Sequence, residues 1–279
     1  MAIKDLLVAY DGNEASQHAL EFAVQMGKKY QATVTGMTVM RPDPFESHLQ
    51  RWIPDNVKES MLTARLEASK SIEAKFRDQI KALGFTGETQ WLVEEGQPDL
   101  TLARSARFFD ILIIGQFLTA FKTEHRTVDP QELLQRAGKP IIIVPKGYQP
   151  RPFREEAAVA WDGSRHAARA LTDAMQILET KKKLYILTAK AEKQSRDIGE
   201  LPGLDLQVHL KRHGVVSEVM TFETAAHDIG QTLVEKCKAL DPDVLVMGAY
   251  GRAKFGAQFF GGVTRHVLQH HTVPVLLSH

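Results

Sequence analysis

One segment near the end of the chain is rich in glycine and also contains basic residues: GAYGRAKFGAQFFGGVTRHVL, which begins at Gly248. Five of its first fifteen residues are glycine, and Arg252 and Lys254 lie between them. Glycine lets a backbone approach an anion closely and allows positive φ angles. The residues after Gly261 favour a helix, whose N-terminus offers unpaired N–H groups and a partial positive charge. The segment therefore predicts a cradle for phosphates, and the alternative is a loop that binds nothing.

Two common phosphate loops do not fit this segment. A Walker loop ends in Gly-Lys followed by Ser or Thr, and no such ending is present. The glycine fingerprint of dinucleotide-binding domains follows the first strand of a domain. Here the glycines follow a later apolar run, DVLVMG from Asp243. A phosphate site at this place must belong to another class.

The chain repeats one pattern twice, which points to two structural units. The segment VAYDGNEASQHALEFAVQM from Val8 resembles VAWDGSRHAARALTDAMQI from Val159. Farther on, DILIIGQF from Asp110 parallels DVLVMGAY from Asp243, and KPIIIVP parallels VPVLLSH. The offset falls from 151 to 133 residues, so the first copy carries roughly 18 additional residues, which we assign to residues 41–59.

Short runs rich in Val, Ile and Leu alternate with helical patterns in both copies. This alternation is typical of a parallel sheet covered by helices on both faces. We therefore expect an α/β protein with two tandem open doubly wound sheets of five strands each. The units should span residues 1–148 and 153–279, because prolines and a glycine interrupt the pattern between them. The expected helices cover residues 164–179, 224–240 and 262–271, and about 58–83 in the first copy.

Composition excludes several classes of protein. The 279 residues carry 35 basic and 34 acidic side chains, and this balance gives no general attraction to nucleic acid or to an anionic membrane. The single cysteine, Cys237, cannot form an intrachain disulfide, which fits a reducing compartment. The apolar run before Asp11 is too short for a signal peptide, and no run has the ~20 apolar residues of a membrane helix. We expect a cytoplasmic protein.

The glycine segment also resembles the nucleotide motif of the universal stress protein family. That motif is Gly, two residues, Gly, nine residues, Gly, then Ser or Thr, and this chain has Gly248, Gly251 and Gly261 at that spacing, followed by Gly262. A strand ending in Asp162-Gly163 and a closing strand after Val-Pro match as well, and both copies together resemble the tandem type. The resemblance implies the adenine nucleotide α-hydrolase-like fold, with a pseudo-two-fold relation between units whose last strands pair.

By the same resemblance, the second copy holds ATP, with ADP and AMP as alternatives and Mg²⁺ bound only through the nucleotide. Asp162 would lie beside the nucleoside, and the loop would wrap the ribose and phosphates. Gly262 departs from the family, which has a hydroxyl there, and Thr264 could supply one from the next turn. The implied binding residues are Asp162, Gly248, Gly251, Arg252, Gly261, Gly262, Val263 and Thr264.

The first copy departs much further from the motif. Gly115 keeps the first glycine position, but Leu118 and Val128 replace the next two, and Asp129 and Pro130 follow. An aspartate at that place favours an N-cap, which would occupy the helix donors and repel phosphate. We expect one nucleotide per chain, and for Asp11 we favour a turn residue.

The remaining candidates favour no chemistry of their own. The pairs His266–His270 and His209–His213 have spacing that suits a metal but lack a third ligand, and Cys237 lacks a partner. We see no nucleophile with a base, and no paired carboxylates. The sequence therefore predicts a nucleotide-binding stress or regulatory protein with at most weak ATPase activity. An interaction scaffold with a vestigial site and a slow ATP hydrolase are the alternatives, and homodimerisation stays open.

Overall fold

A computed structural model describes residues 3–41, 54–116, 130–190, 205–225, 228–249 and 261–279. Contacts divide the chain into two compact units, Ile3–Ala137 and Gly138–His279. The first unit contains four strands and four helices in the described residues: β1 (Asp5–Ala9), α1 (Glu14–Tyr30), β2 (Thr33–Met40), α2 (Asp55–Ala82), β3 (Thr89–Glu95), α3 (Pro98–Ala106), β4 (Ile111–Gly115) and α4 (Pro130–Ala137).

The first unit has a parallel sheet with the strand order β3-β2-β1-β4. Its central strands β1 and β4 are buried on both faces, as near-continuous apolar strands should be. The helix α1 begins where the side chain of Asn13 accepts a hydrogen bond from the N–H of Ser16. It ends at Gln31, which adopts the left-handed conformation.

The second unit begins with the closing strand of the first copy. It then repeats the order of elements of the first unit and adds a closing strand of its own. Its described elements are β5 (Ile141–Val144), β6 (Glu156–Ala160), α5 (Arg165–Leu178), β7 (Lys183–Lys190), α6 (Leu206–Arg212), β8 (Ser217–Glu223), α7 (Ile229–Leu240), β9 (Val244–Gly248), α8 (Gly262–His270) and β10 (Val275–Ser278). The strand order is β5-β10-β9-β6-β7-β8. All neighbours in it are parallel except β5, which is antiparallel to β10. The closing strands of the two copies therefore pair with each other, as expected.

An aspartate before the fourth strand of each copy fixes the start of its first strand. In the first unit, Asp110 Oδ2 accepts hydrogen bonds from the N–H groups of Lys4 (2.6 Å) and Asp5 (3.0 Å). In the second unit, Asp243 accepts from the N–H groups of Arg154 and Glu155, both at 2.9 Å. The two copies thus use one device to align neighbouring strands at their N-terminal ends.

The sequence placed most elements within a few residues of their observed bounds. The short helix α6 was missed, because seven residues carry too little helical pattern to stand out. The helix α7 begins at Ile229 rather than near Thr224, and the hydroxyl of Thr224 forms a hydrogen bond with the hydroxyl of Thr232 at 3.3 Å. No described helix has the length and apolar character needed to cross a membrane.

Candidate functional site

A cavity of about 310 Å³ lies at the carboxyl ends of β6, β7 and β9 in the second unit. Ligands of open α/β sheets bind at this edge, where the loops leave the strands. Its walls are mostly apolar, with side chains from the strands and from α7: Trp161, Leu187, Ala189, Phe222, Ile229, Leu233 and Met247. Polar groups line it at Asp162, Ser164, Thr188 and Thr264. The cavity therefore combines an apolar interior with a few polar groups, which is typical of small-molecule sites.

Two glycines at the start of α8 face open space. Gly261 is the N-cap, with φ −59° and ψ 155°, and Gly262 is the first helical residue. Neither has a positive φ, and a Cβ added to either would meet no described atom within 4 Å. Neither backbone conformation nor packing among the described residues therefore requires glycine here. Because both line the cavity, their missing side chains leave room for something else to approach.

The N-terminus of α8 provides a favourable electrostatic environment for an anion. No side chain caps it, and no acidic residue occupies its first turn. Val263 and Thr264 lie in that turn, and both line the cavity. The first N–H groups of a helix lack partners within the helix and carry partial positive charge. An anionic group in this part of the cavity would find donors that no described side chain occupies.

Gly248 has a packing role besides lining the cavity. A Cβ there would lie 2.5 Å from the carbonyl carbon of His166, in the first turn of α5. Gly115 is in the same position in the first unit, where a Cβ would collide with the backbone of Ala15. Helix packing thus accounts for this glycine in both copies, including the copy whose loop departs from the motif. The contact of Gly248 with a ligand stays a prediction.

Asp162 lines the cavity, and one of its two carboxylate oxygens accepts a hydrogen bond from the described residues. Its Oδ1 accepts a hydrogen bond from the N–H of Ser164 at 3.0 Å, while Ser164 Oγ caps α5 by accepting from the N–H of Ala167. Among the described residues, Asp162 Oδ2 has no hydrogen-bond partner. Asp11 differs, because Asn13 donates to its Oδ1 from the backbone (3.0 Å) and to its Oδ2 from the side chain (2.9 Å).

The imidazole of His166, four residues after Asp162, adds little positive charge to this site. Partial burial lowers the pKa of His166, and the nearby positive charge of Arg165 lowers it further. His166 therefore stays neutral at pH 7, and its ring stacks on that of His279 at 5.2 Å. The permanent positive charge at the start of α5 comes from Arg165, which is exposed.

The first unit uses the corresponding residues for packing. Tyr10, which matches Trp161, is buried and meets Phe76 and Trp91 edge-on, with ring centroids 5.5 and 6.2 Å away. Its hydroxyl donates to Gln79 Oε1 of α2 at 3.0 Å. Lys75 of the same helix covers Gly12, since a Cβ there would lie 3.1 Å from the lysine side chain. The long helix α2 thus closes over the residues that follow β1.

Several predicted residues lie outside the described ones. Gly251 and Arg252 are among them, as are Leu118, Val128 and Asp129 of the first copy. The helix α4 begins at Pro130, where the sequence placed the helix start. The structure therefore brings six of the eight predicted binding residues to one cavity and leaves the other two undescribed.

The other chemical candidates have structural roles. Cys237 is buried, and burial raises the pKa of its thiol to about 12, so it is not a thiolate at neutral pH. The rings of His266 and His270 stack at 4.3 Å, and His270 Nδ1 bonds the carbonyl of His266. Within the described residues, no group of three acidic, histidine or cysteine side chains could hold a metal.

The apolar walls were not predicted as part of the site. Leu187, Phe222 and Leu233 have the pattern of core residues, and the pattern cannot separate a packed core from the wall of a cavity. The carboxyl ends of the strands offered a signal that could have predicted these walls. Residues that close neighbouring parallel strands meet at one edge of the sheet, so the ends of the second and third strands belong with Asp162.

A family model decides the relationship of this chain to known proteins. The universal stress protein family model matches residues 2–116 and again residues 155–279. The chain belongs to the universal stress protein family. Two matches in one polypeptide make it a tandem member with two family domains.

Solved structures of this family are similar along nearly the whole chain. A universal stress protein from Archaeoglobus fulgidus is 17% identical, with 98% of this chain and 95% of that chain covered and a TM-score of 0.65. A putative universal stress protein from Pseudomonas aeruginosa is 16% identical, with 99% and 93% covered and a TM-score of 0.59. At these identities the likeness shows the fold alone. No curated protein matches the sequence.

Proposed function

We propose that the second repeat binds one adenine nucleotide, ATP, and that the protein is a nucleotide-responsive regulator in a stress response. The carrying observation is that a Cβ on Gly261 or Gly262 would meet no described atom within 4 Å, at the start of α8, which no described side chain caps, and inside the cavity. A helix N-terminus beside a glycine-lined space is suited to phosphate, because no described side chain occupies the donors or blocks the approach.

The charges at the helix starts favour the second repeat over the first. In the first unit, α1 and α4 carry Glu14 and Glu132 in their first turns. In the second unit, neither α5 nor α8 has an acidic residue there, and the basic residues Arg165 and Arg265 lie in those turns. A carboxylate at a helix start competes with a phosphate for the same partial charge, whereas an arginine attracts it.

The rest of the cavity suits a nucleoside. Its volume of about 310 Å³ is at the lower end of the range for small-molecule sites, roughly 300–1,000 Å³. Asp162 Oδ2, which has no hydrogen-bond partner among the described residues, can accept a hydrogen bond from a sugar hydroxyl or an exocyclic amine. Any Mg²⁺ would be held through the phosphates of the nucleotide. The proposed function does not require hydrolysis of the nucleotide.

Calorimetric titration of the full chain with ATP tests the proposal. We expect one nucleotide per chain and a loss of affinity of at least about tenfold in Gly261→Val, because the branched side chain would fill the space meant for the ligand. The backbone angles of Gly261 are allowed for valine. Gln97→Val is the matched control, since Gln97 is the N-cap of α3 and likewise makes no side-chain cap bond.

Three results would contradict this function: no binding at millimolar ATP, a stoichiometry near two, or equal affinity in wild type and Gly261→Val. The first would favour a scaffold with a vestigial site. The second would place a working site in the first repeat as well. The third would separate nucleotide binding from the start of α8.

A further inference from the structure

The phenyl ring of Phe108 projects from one end of the first unit. Its exposed fraction is 83%, the largest among the large apolar side chains that the structure describes. Phe108 follows the last turn of α3, and its N–H donates to the carbonyl of Ser105 at 3.1 Å. A single exposed ring needs no partner on its own account, so the residues around it decide whether it has a function.

The surroundings of Phe108 are basic. A helix that connects two parallel strands ends beside the start of the next strand, so helix ends and strand starts share one edge of the sheet. Each of the four described helices of the first unit has a basic residue in its last turn, and two more basic residues lie between elements at this edge. These exposed residues, which we call the basic edge, are Lys4, Lys28, Lys81, Arg104, Arg107 and Arg136.

Hydrogen bonds join the basic edge into one continuous surface. Lys28 Nζ, at the end of α1, donates to the carbonyl of Leu83, just after α2, at 2.7 Å. The guanidinium of Arg107 donates to the carbonyl of Arg136, in the last turn of α4, at 2.9 Å. The loop between α3 and β4 holds the start of β1 through Asp110. The exposed ring therefore stands within the charged surface.

Acidic side chains offset only part of this charge. The exposed acidic residues at the same edge are Asp5 and Glu88. Among the described residues, the side chains of Lys4, Lys81 and Arg104 form no ion pair. Lysine and arginine suit the negative end of a helix dipole, which accounts for their places in the last turns. Their charges nevertheless face water, so this end of the first unit presents a positive surface around an aromatic ring.

The second repeat differs at the corresponding edge. Asp241 takes the place of Phe108, because each stands two residues before the aspartate that fixes the first strand of its copy. Arg151 forms an ion pair with Asp241 at 3.1 Å, and Arg154 forms one with Glu156 at 3.2 Å. These basic residues are therefore paired within the chain, and an acidic side chain replaces the ring.

We propose that the basic edge docks on the surface of an anionic lipid bilayer, with the ring of Phe108 inserted between the headgroups. A bilayer interface is broad and negatively charged, and it admits an aromatic side chain without a preformed pocket. The charges are spread over the ends of four helices, which suits a broad surface. A DNA duplex would use the charges but offer the ring no apolar surroundings. The net charge of the whole chain does not reveal this surface, because it averages over both repeats.

Phe108→Ala and Phe108→Trp test the ring in the full chain. Val216→Ala and Val216→Trp are the matched controls, because Val216 is 67% exposed and precedes β8 at the corresponding edge of the second repeat. Binding is measured by co-sedimentation with vesicles of phosphatidylcholine and phosphatidylglycerol in equal parts. Vesicles of phosphatidylcholine alone lack the anionic charge. Indole fluorescence, taken as the difference from wild type, reports whether the side chain enters apolar surroundings.

The double variant Lys81→Gln, Arg104→Gln tests the charges. Neither side chain forms an ion pair among the described residues, so the fold should not change. The double variant Lys211→Gln, Arg212→Gln is the matched control, since both residues are exposed and lie in the last turn of α6. Circular dichroism and the unfolding midpoint establish that each variant is folded.

We expect wild type to bind the anionic vesicles but not those of phosphatidylcholine alone, and to bind less as salt is added. Phe108→Ala should lose about tenfold in affinity, because the inserted apolar surface is removed. The double variant Lys81→Gln, Arg104→Gln should lose at least about tenfold, and the control variants should match wild type. Phe108→Trp should shift its emission to shorter wavelength on anionic vesicles, whereas Val216→Trp should not.

Failure of wild type to bind the anionic vesicles overturns the inference. Wild-type affinity in Phe108→Ala, or an equal emission shift in Val216→Trp, excludes insertion of this ring. Wild-type affinity in the double variant Lys81→Gln, Arg104→Gln excludes the basic edge. A DNA duplex that binds more tightly than the vesicles, and equally well in Phe108→Ala, assigns the charges to nucleic acid instead. All measurements are made without nucleotide, so failure here leaves the proposed function untouched.

Discussion

The backbone of His166 lies so close to Gly248 that a Cβ on the glycine would come within 2.5 Å of its carbonyl carbon. This approach seats the first turn of α5 on the end of β9, next to the cavity. Gly115 and the backbone of Ala15 repeat the relationship in the first unit. A glycine that the sequence assigns to a ligand is therefore also a requirement of helix packing.

Gly248→Ala should destabilise the fold by about 1–3 kcal/mol, because the added methyl group collides with backbone that cannot move aside freely. Gly115→Ala should have a similar effect for the same reason. Gly261→Ala, at a position where a Cβ would meet no described atom within 4 Å, should change the free energy of unfolding far less. Urea denaturation of the three variants measures this, and a loss in Gly261→Ala as large as that in Gly248→Ala would be inconsistent with the packing.

Asp162→Asn should weaken ATP binding, whereas Asp11→Asn should leave it unchanged. Asp162 has a carboxylate oxygen without a described partner at the cavity, while both oxygens of Asp11 are bonded to Asn13. Loss of a hydrogen bond to a charged group corresponds to about 1.5–3 kcal/mol. Calorimetry on the two variants provides the comparison, and equal affinities in both would remove Asp162 from the site.

Gly262→Ser should tighten ATP binding several-fold, since the hydroxyl found at this place in the resembling motif would be restored at the start of α8. A hydrogen bond to a charged group contributes about 1.5–3 kcal/mol and a neutral one about 0.5–1.5 kcal/mol. Gly251→Val, in the part of the loop outside the described residues, should instead reduce affinity at least about tenfold, or ~1.4 kcal/mol. Unchanged affinity in both variants would mean that the loop does not hold phosphate.

The buried imidazole of His271 should make the fold less stable in mild acid. Burial lowers its pKa to about 4 from the usual 6.5, although Nδ1 bonds the carbonyl of Val273 at 2.9 Å. Between pH 6.5 and 4 the unfolded chain takes up a proton that the folded chain excludes, so the free energy of unfolding falls as the pH falls. The loss from this residue approaches about 3 kcal/mol and is complete below pH 4.

Urea denaturation between pH 7.5 and 4.5 detects this contribution. His271→Gln cannot titrate and should flatten the pH dependence in that window. His270→Gln is the control, because His270 is exposed on the neighbouring position. If the two variants show the same pH dependence as wild type, His271 does not carry the acid sensitivity.

The sequence by itself determined the repeated α/β architecture, because apolar periodicity reports local structure directly. The run VLVMG is short and ends in glycine, which favours a strand buried on both faces, and the Asp-Gly turns that follow β1 and β6 mark the carboxyl-terminal edge of each sheet. It also predicted a difference between the two copies, since Asp129-Pro130 and Gly261-Gly262 should differ in the charge and capping at a helix start. These conclusions depend only on neighbours along the chain.

Only the tertiary structure decided what the individual residues contact. It showed that Gly248 supports α5, and that a Cβ on Gly261 or Gly262 would meet no described atom. It also showed that Tyr10 is enclosed by α2, whereas Trp161 lines a cavity. It also brought Ala189 and Phe222 together from separate strands. An apolar residue has the same pattern in a packed core and in a cavity wall, because the pattern records burial from water and not what fills the space beyond it.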